Sequence, residues 1–401
     1  AVVIGKVTGD GMFKVYEGEV LVGEVPVTAL TEGCPVYVRQ GIEPPYYQEL
    51  KAYDIDNLPD YDLQEALLQL LSSPNIASKK WVYRQYDHQV MTNTVIVPGD
   101  GDAAVLRIKS TDKGVALTTD CNSRMVYLDP YRGGKLAVCE AARNLACCGA
   151  RPLALTNCLN FGNPEKPHIY WQMQNAIRGM ADAARVLNTP VVSGNVSLYN
   201  ESTTAAVFPT PVVGMVGLLQ DINQRCTMSF QDEGDMIVLL GQIRTELGGS
   251  EYLAVCHRIE AGEVPDADLD EESRLIEMLL ELCAKGLIKS AHDISEGGLA
   301  VALTESAIKG QIGFRAELPG TAEQVTQVLF SEAPTRVVMS LAAENLEAVE
   351  EIASRYHLPL TILGRVGGRR LMISNGGHML IDLDLDQAAK TWGEALTCIM
   401  K

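Results

Sequence analysis

The sequence predicts an α+β chain in which helices cover sheets, and three observations carry that expectation. Runs of period-two apolar alternation interleave with runs of helical spacing from about residue 95 to residue 356. Hydrophobic residues make up 47% and charged residues 21% of the 401 residues, enough apolar material for two cores. A pattern at the start also returns near the end. V-I-G-K-V at 3–7 is answered by I-L-G-R-V at 362–366, and a shift of 359 superposes Gly5 on Gly364, Val7 on Val366 and Gly18 on Gly377. Residues 1 to about 50 therefore read as the last piece of one module, and residues from about 76 to 401 as a second copy, in a chain cut from a longer tandem protein.

Taken in order, 41–62 is rich in Pro, Tyr and Asp, which is linker chemistry and sets a linker at 51–75. A short apolar helix is expected at 63–71, stopped by Ser72, Ser73 and Pro74, and a second at about 78–86. A-A-V-L-R-I and V-A-L-T-T-D read as strands, and 133–147 as a helix with Ala and Leu at helical spacing. P-L-A-L-T is a strand ending in the loop N-C-L-N-F-G-N-P. After a long helix at 169–187, T-P-V-V-S-G-N-V-S-L is a strand broken at Gly194, and P-V-V-G-M-V-G-L-L closes the first domain near 222. In the second domain, strands are expected at 236–240, 287–291 and over R-V-V-M-S-L. Helices are expected at 270–285, from H-D-I-S-E-G-G-L to about 309, and at 344–356.

The net charge of −18, without a Lys/Arg cluster, argues against a nucleic-acid partner. No run of 18 apolar residues is present, so no membrane span is expected. The ten cysteines include no C-x-x-C and sit largely in apolar stretches, so they read as buried thiols of a cytoplasmic protein. Neither G-x-x-x-x-G-K-[ST] nor G-x-G-x-x-G occurs, and the six histidines form no H-x-x-x-H pair.

What remains is polar punctuation at strand ends. T-N-C-L-N-F-G-N-P (156–164) is either an Asx-rich turn or a loop whose amides reach a ligand. S-G-N-V-S (193–197) is either a β-bulge or a site in which Gly194 admits a close approach. There Asn195 and Ser197, two apart, share one face and could hold a hard cation and a phosphate-bearing ligand. H-D-I-S-E-G-G-L (292–299) is either a capped turn or an anion site at a helix N-terminus beside Asp293.

Five strings carry a resemblance. T-T-D-C-N-S-R, Y-L-D-P-Y-R-G-G-K, C-L-N-F-G-N-P-E-K-P, L-N-T-P-V-V-S-G-N-V-S-L-Y-N-E and P-T-P-V-V-G-M-V-G-L closely resemble the phosphoribosylformylglycinamidine synthase family in its separate-subunit bacterial form. The likeness runs over essentially the whole chain and is densest from 75 to 221. It implies the ATP-binding superfamily of aminoimidazole ribonucleotide synthetase, with two halves in tandem, each a half-barrel followed by a sheet-and-helix domain. On that reading 1–50 ends the first companion domain, 76–225 is the second half-barrel and 226–401 the second companion domain.

The implied reaction is the ATP-dependent amination of formylglycinamide ribonucleotide in purine biosynthesis, a C–N ligation with glutamine as amido donor. It needs Mg²⁺, a separate glutaminase subunit and a small bridging subunit. The resemblance assigns Asn157 and Gly194 to ATP, Asn195 to Mg²⁺ and Ser197 to the ribonucleotide. Many members carry Asp where this chain has Asn157, which weakens metal ligation there. The catalytic His and the principal acidic metal ligands belong to the absent first half, so the isolated chain is expected to be inactive. Asp293 and Glu332 match first-half ligands, but the run after Glu332 reads E-A-P, so they are left outside the site. The competing expectations are another kinase or synthetase of the superfamily, or an inactive nucleotide-binding fragment.

Overall fold

In the computed structural model, residues 1–55 and 57–400 are described, and the chain divides into a unit of residues 1–40 and a unit that begins at residue 41. The first unit is built around a hairpin of β1 (Met12–Glu17) and β2 (Val20–Pro26), closed at Gly18 with φ +60°, and followed by α1 (Val27–Leu30). Alternating side chains on a two-stranded ribbon leave both faces open, and Phe13, Val15, Val20 and Val22 are all exposed.

The larger unit opens with α2 (Pro45–Lys51), α3 (Leu63–Ser72) and α4 (Lys80–Tyr83). Tyr46 of α2 stacks on Tyr127 at 4.9 Å, and the Tyr47 hydroxyl donates to Asp129 at 3.0 Å. Asp62 caps α3 by accepting from the Glu65 N–H at 2.8 Å, and Ala66, Leu67, Leu70 and Leu71 are fully buried. The stretch read as linker thus carries a core helix. The helix expected at 78–86 forms only over α4.

Next come β3 (Thr94–Ile96), β4 (Ala104–Arg107), β5 (Gly114–Asp120), α5 (Ser123–Leu128), α6 (Pro130–Cys147), β6 (Arg151–Asn160), α7 (Pro167–Val186), β7 (Val191–Ser197) and β8 (Thr210–Leu219). The strands form one sheet in the order β3-β4-β5-β8-β6-β7, antiparallel except for the parallel pair β6–β7. Strict alternation along β8 buries Val213, Met215 and Leu219 against α6. Helices α6 and α7 cross closely because two glycines sit at the contact. A Cβ on Gly134 would lie 2.4 Å from the Ala176 carbonyl oxygen, and one on Gly179 would collide with that of Tyr131. The opposite face of the sheet holds a basin of about 550 Å³ lined by Leu117, Thr119, Ala154, Thr156, Ser193 and Val216.

The second domain contains β9 (Met236–Leu240), α8 (Leu269–Ala284), β10 (Ser290–Asp293), α9 (Gly298–Gly310), β11 (Phe314–Glu317), α10 (Val325–Phe330), β12 (Val337–Leu341), α11 (Leu346–Tyr356), β13 (Leu360–Val366), β14 (Arg370–Asn375), β15 (His378–Asp384) and α12 (Leu385–Ile399). Its sheet runs β10-β12-β9-β13-β11-β14-β15, with β9 and β12 buried along their whole length. The 359-residue shift carries β1 and β2 onto 371–376 and 379–385, one residue from β14 and β15, and in both places a helix follows the hairpin.

One arginine joins the two domains. Arg143, on α6, reaches into the second domain. Its Nη1 donates to both carboxylate oxygens of Glu272 on α8 at 2.9 Å, and its Nε donates to Asp293 Oδ1 at 2.6 Å. All three side chains are buried. Burial works against the guanidinium charge, and Asp293 and Glu272 override it. Thr335 donates a further bond to Glu272 at 2.6 Å, and the Asp293 N–H donates to Asp102 at 2.7 Å. Asp102 also meets the His292 Nδ1 at 2.6 Å, while Nε2 meets Glu305 at 3.1 Å. Burial pushes the His292 imidazole down, but Asp102 and Glu305 together hold it well above the usual histidine range.

Removing the guanidinium leaves two carboxylates facing one another without a counter-charge. Arg143→Ala is expected to lower stability by about 3–5 kcal/mol. The urea midpoint measures it; a shift no larger than that of an exposed Arg→Ala control such as Arg185→Ala would show that the domains do not depend on this bridge.

Candidate functional site

Asn157, Gly194, Asn195 and Ser197 lie side by side on β6 and β7, at the edge of the six-stranded sheet. Two sequence expectations are corrected here. Strand β6 does not stop at Thr156 but continues through Asn160, because Asn157–Asn160 pair with β8 on one side and β7 on the other. Nor is β7 broken at Gly194, which pairs in register with Asn157; its irregularity lies two residues earlier, where Val192 is the extra residue between the Leu155–Val191 and Thr156–Ser193 pairs. Asn has low strand propensity, but two flanking ladders override it.

The register divides the four residues between two faces. Asn157 and Gly194 are paired, and a Cβ on Gly194 would sit 2.2 Å from Asn157 Oδ1. Gly194 is small because the Asn157 amide lies across it. Asn195 pairs with Cys158 and Ser197 with Asn160, so both point to the other face, as their two-residue spacing requires. The Asn195 amide nitrogen contacts Cys158 Sγ at 3.5 Å and the residue is exposed. Ser197 is tied into its own loop. Its Oγ donates to Asn200 Oδ1 at 3.2 Å, and Asn200 Nδ2 donates to the carbonyls of Ser197 and Phe161 at 2.8 and 3.1 Å.

The donor set does not fit a magnesium ion by itself. At Asn195 the chain offers one neutral amide oxygen, and among the described residues no group of three or more His, Cys, Asp or Glu side chains is spaced to hold a metal. A hard divalent cation needs about six oxygens, usually including a carboxylate. Asn157, Gly194 and the open edge do offer amide and backbone groups to a nucleotide.

A second polar centre escaped the sequence reading. Asp120, Glu140, Asp293 and Glu296 converge beneath a cavity of about 450 Å³ that is also lined by Lys79 and His292. Burial raises the pKa of Asp120 to about 8, despite hydrogen bonds from Thr118 at 3.0 Å and Asn144 at 2.9 Å. Burial and mutual repulsion push Glu140 well up, and burial raises Glu296 as well. Its acids are spread from residue 120 to residue 296, and of them the sequence singles out only Asp293, in H-D-I-S-E-G-G-L. Nearby, Glu332 Oε1 accepts the N–H groups of Glu251 and Gly297, each at 2.7 Å. The anion favoured by the turn into α9 is thus the protein's own side chain. Even so, burial and Glu296 lift Glu332 to about 8.

The acid cluster sets a sign for pH dependence. A carboxyl whose folded pKa exceeds its unfolded value binds a proton on folding. Its stabilisation is complete below the unfolded pKa and is lost as pH rises through the folded one. For Asp120 that window runs from 3.8 to about 8. Asp120→Asn keeps the acceptor oxygen and removes the titration. It is expected to make the fall in stability from pH 5 to 8 shallower than in the parent chain. Parallel slopes in urea titrations at those two pH values would contradict the assignment.

Known proteins place the two domains of the chain in a family. The N-terminal domain of AIR synthase related proteins matches residues 100–219, and their C-terminal domain matches residues 232–374. The phosphoribosylformylglycinamidine synthase subunit PurL of Moorella thermoacetica is 50% identical over 401 residues, covering 100% of this chain and 54% of that protein. The PurL of Alkaliphilus metalliredigens is 48% identical over 403 residues, with the same coverage. Among solved structures, Thermotoga maritima PurL complexed with ATP superposes with a TM-score of 0.66 at 20% identity, covering 82% of this chain and 52% of that one. The same protein complexed with FGAR gives 0.68 at 20% identity, covering 82% and 54%. These superpositions establish the fold. The chain spans about half the length of the curated relatives it matches. It belongs to the AIR synthase related family, and within that family it is homologous to the PurL subunit of phosphoribosylformylglycinamidine synthase.

Proposed function

We propose that this chain is part of the ATP-dependent ligase that converts formylglycinamide ribonucleotide and ammonia to the amidine. The observation that carries the reading is 50% identity to a PurL subunit along all 401 residues. An amide oxygen is a poor leaving group. Transfer of the γ-phosphoryl group to that oxygen gives ADP and an O-phosphorylated imidate, and ammonia then adds at carbon and expels phosphate. Glutamine supplies the ammonia through a glutaminase subunit and a bridging subunit; a Thermotoga maritima PurLQS assembly is among the solved structures with this fold. Ten free cysteines agree with a cytoplasmic setting.

In this reading residues 76–225 are a half-barrel domain, 226–401 its companion, and 1–50 the end of a preceding companion domain. Asn157 presents its amide to the nucleotide across Gly194, and Ser197 holds the ribonucleotide through its hydroxyl and the loop it braces. Asn195 contributes one oxygen at the phosphates. The Mg²⁺ that the family reaction uses would need ligands beyond the Asn195 amide, and among the described residues no group of three or more His, Cys, Asp or Glu supplies them. The principal acidic metal ligands and the catalytic His are assigned, on this reading, to the family's first half.

The isolated chain is therefore expected to form no measurable amidine from ATP, ammonia and the formyl substrate, while the full-length enzyme does. Turnover by the isolated chain at a comparable rate would overturn the half-site reading. In the full-length enzyme, Ser197→Ala is expected to raise KM for the ribonucleotide by about tenfold or more, with KM for ATP nearly unchanged, as loss of one hydrogen bond implies. Asn195→Ala is expected to lower kcat by about 10²-fold with little change in Tm. A loss of Tm with an intact rate would mean that the residue only shapes the strand.

A further inference from the structure

Two cysteines that the reaction does not use meet where the domains join. Cys226 lies on the connection between β8 and β9, and Cys283 in the last turn of α8. They are 57 residues apart in sequence, yet the two side chains interact, while the Cys226 thiol donates to the Thr227 carbonyl at 3.7 Å. The backbone fixes both. The Cys226 N–H donates to the Cys148 carbonyl at 3.3 Å, and Thr227 bridges to Ser290 at the start of β10. Gly149, at φ +80°, brings the turn after α6 so close that a Cβ there would lie 3.3 Å from Cys283 Cβ. Both thiols are nearly buried, but they line the floor of a surface cleft of about 410 Å³. Arg225, Lys285 and Lys289 line the same cleft; Lys285 pairs with Glu281 and Lys289 with Asp232 and Asp235, so an anionic ligand there meets chiefly Arg225. Cys147 and Cys148, though adjacent in sequence, do not line it.

We infer that Cys226 and Cys283 form an oxidisable dithiol, a modification site that a small anionic disulfide of the glutathione class converts to an intramolecular disulfide. The Cys283 thiolate attacks one sulfur of the oxidant, forming a mixed disulfide and releasing one thiolate. Cys226 then gives up its proton and attacks Cys283 Sγ, releasing the second. In total, two protein thiols and one disulfide become one protein disulfide and two small thiols. The neighbouring Cys283 side chain and burial hold the Cys226 thiol well above its usual range, which keeps the second nucleophile silent until the first has reacted. The product ties the interdomain connection to α8.

The full-length protein is treated with oxidised glutathione, quenched in acid, alkylated under denaturing conditions, digested and analysed by mass spectrometry. The expected product is a Cys226–Cys283 cross-linked peptide, lighter than its two parts by two hydrogens, and cleaved by dithiothreitol. The oxidised protein is expected to melt about 5 °C higher or more, since the cross-link closes a long loop. In Cys226→Ala the reaction stops at a glutathione adduct on Cys283. Recovery of both cysteines alkylated from the treated wild type, or cross-links from either one to Cys147 or Cys148, would overturn the proposal. The wild-type cross-link decides the matter even if the variant fails to fold.

Discussion

The placement of one positive charge governs this structure. Arg143 is buried on a helix of the first domain, and both of its carboxylate partners belong to the second. A guanidinium out of water is tolerated only if its donors are matched, and the planar fork of arginine meets Glu272 with one nitrogen and Asp293 with another. Everything nearby is arranged around that match. Asp293 is oriented by its backbone bond to Asp102, Asp102 grips His292, and His292 leans on Glu305, which accepts from Trp392 at 3.0 Å. The chain of contacts runs from α6 to α12, so the two domains are one electrostatic object. The same carboxylates sit beside a cavity with more acids than cations, and burial holds several of them above their usual range.

The edge β6–β7 has the opposite character. Its four candidate residues, Asn157, Gly194, Asn195 and Ser197, are uncharged and at least partly exposed, and Asn195 and Ser197 have local partners in Cys158 and Asn200. Gly194 shows how the strand pair is built: the missing side chain on one strand is filled by the Asn157 amide of the other. A neutral edge of this kind positions a ligand but cannot supply charge or move a proton.

The long periodic elements were legible in the sequence. Helices expected at 133–147, 169–187 and 270–285 appear as Pro130–Cys147, Pro167–Val186 and Leu269–Ala284, because amphipathic spacing over four or more turns leaves little choice. The repeat signal at Gly18 and Gly377 marks two hairpins with nearly the same register. The polar strand ends were not legible. Asn157–Asn160 look like a turn until the neighbouring strands are known, and no periodicity reports that Asn157 and Asn195 face opposite ways. The acid centre was hidden for a different reason: Asp102 and His292 are 190 residues apart, and only the packing of two domains brings them together.

The outer side of β7 has a colloidal consequence. It ends the sheet, and among the described residues nothing pairs with its free side, while Val191, Val192 and Val196 are exposed along it. Such an edge is a template for any other extended chain. Folded copies carry a net charge of −18 and repel one another before their edges can meet, but salt shortens that repulsion to about 8 Å at physiological ionic strength. Purified alone, the chain would stay dispersed in dilute buffer and stack edge to edge as the ionic strength climbs.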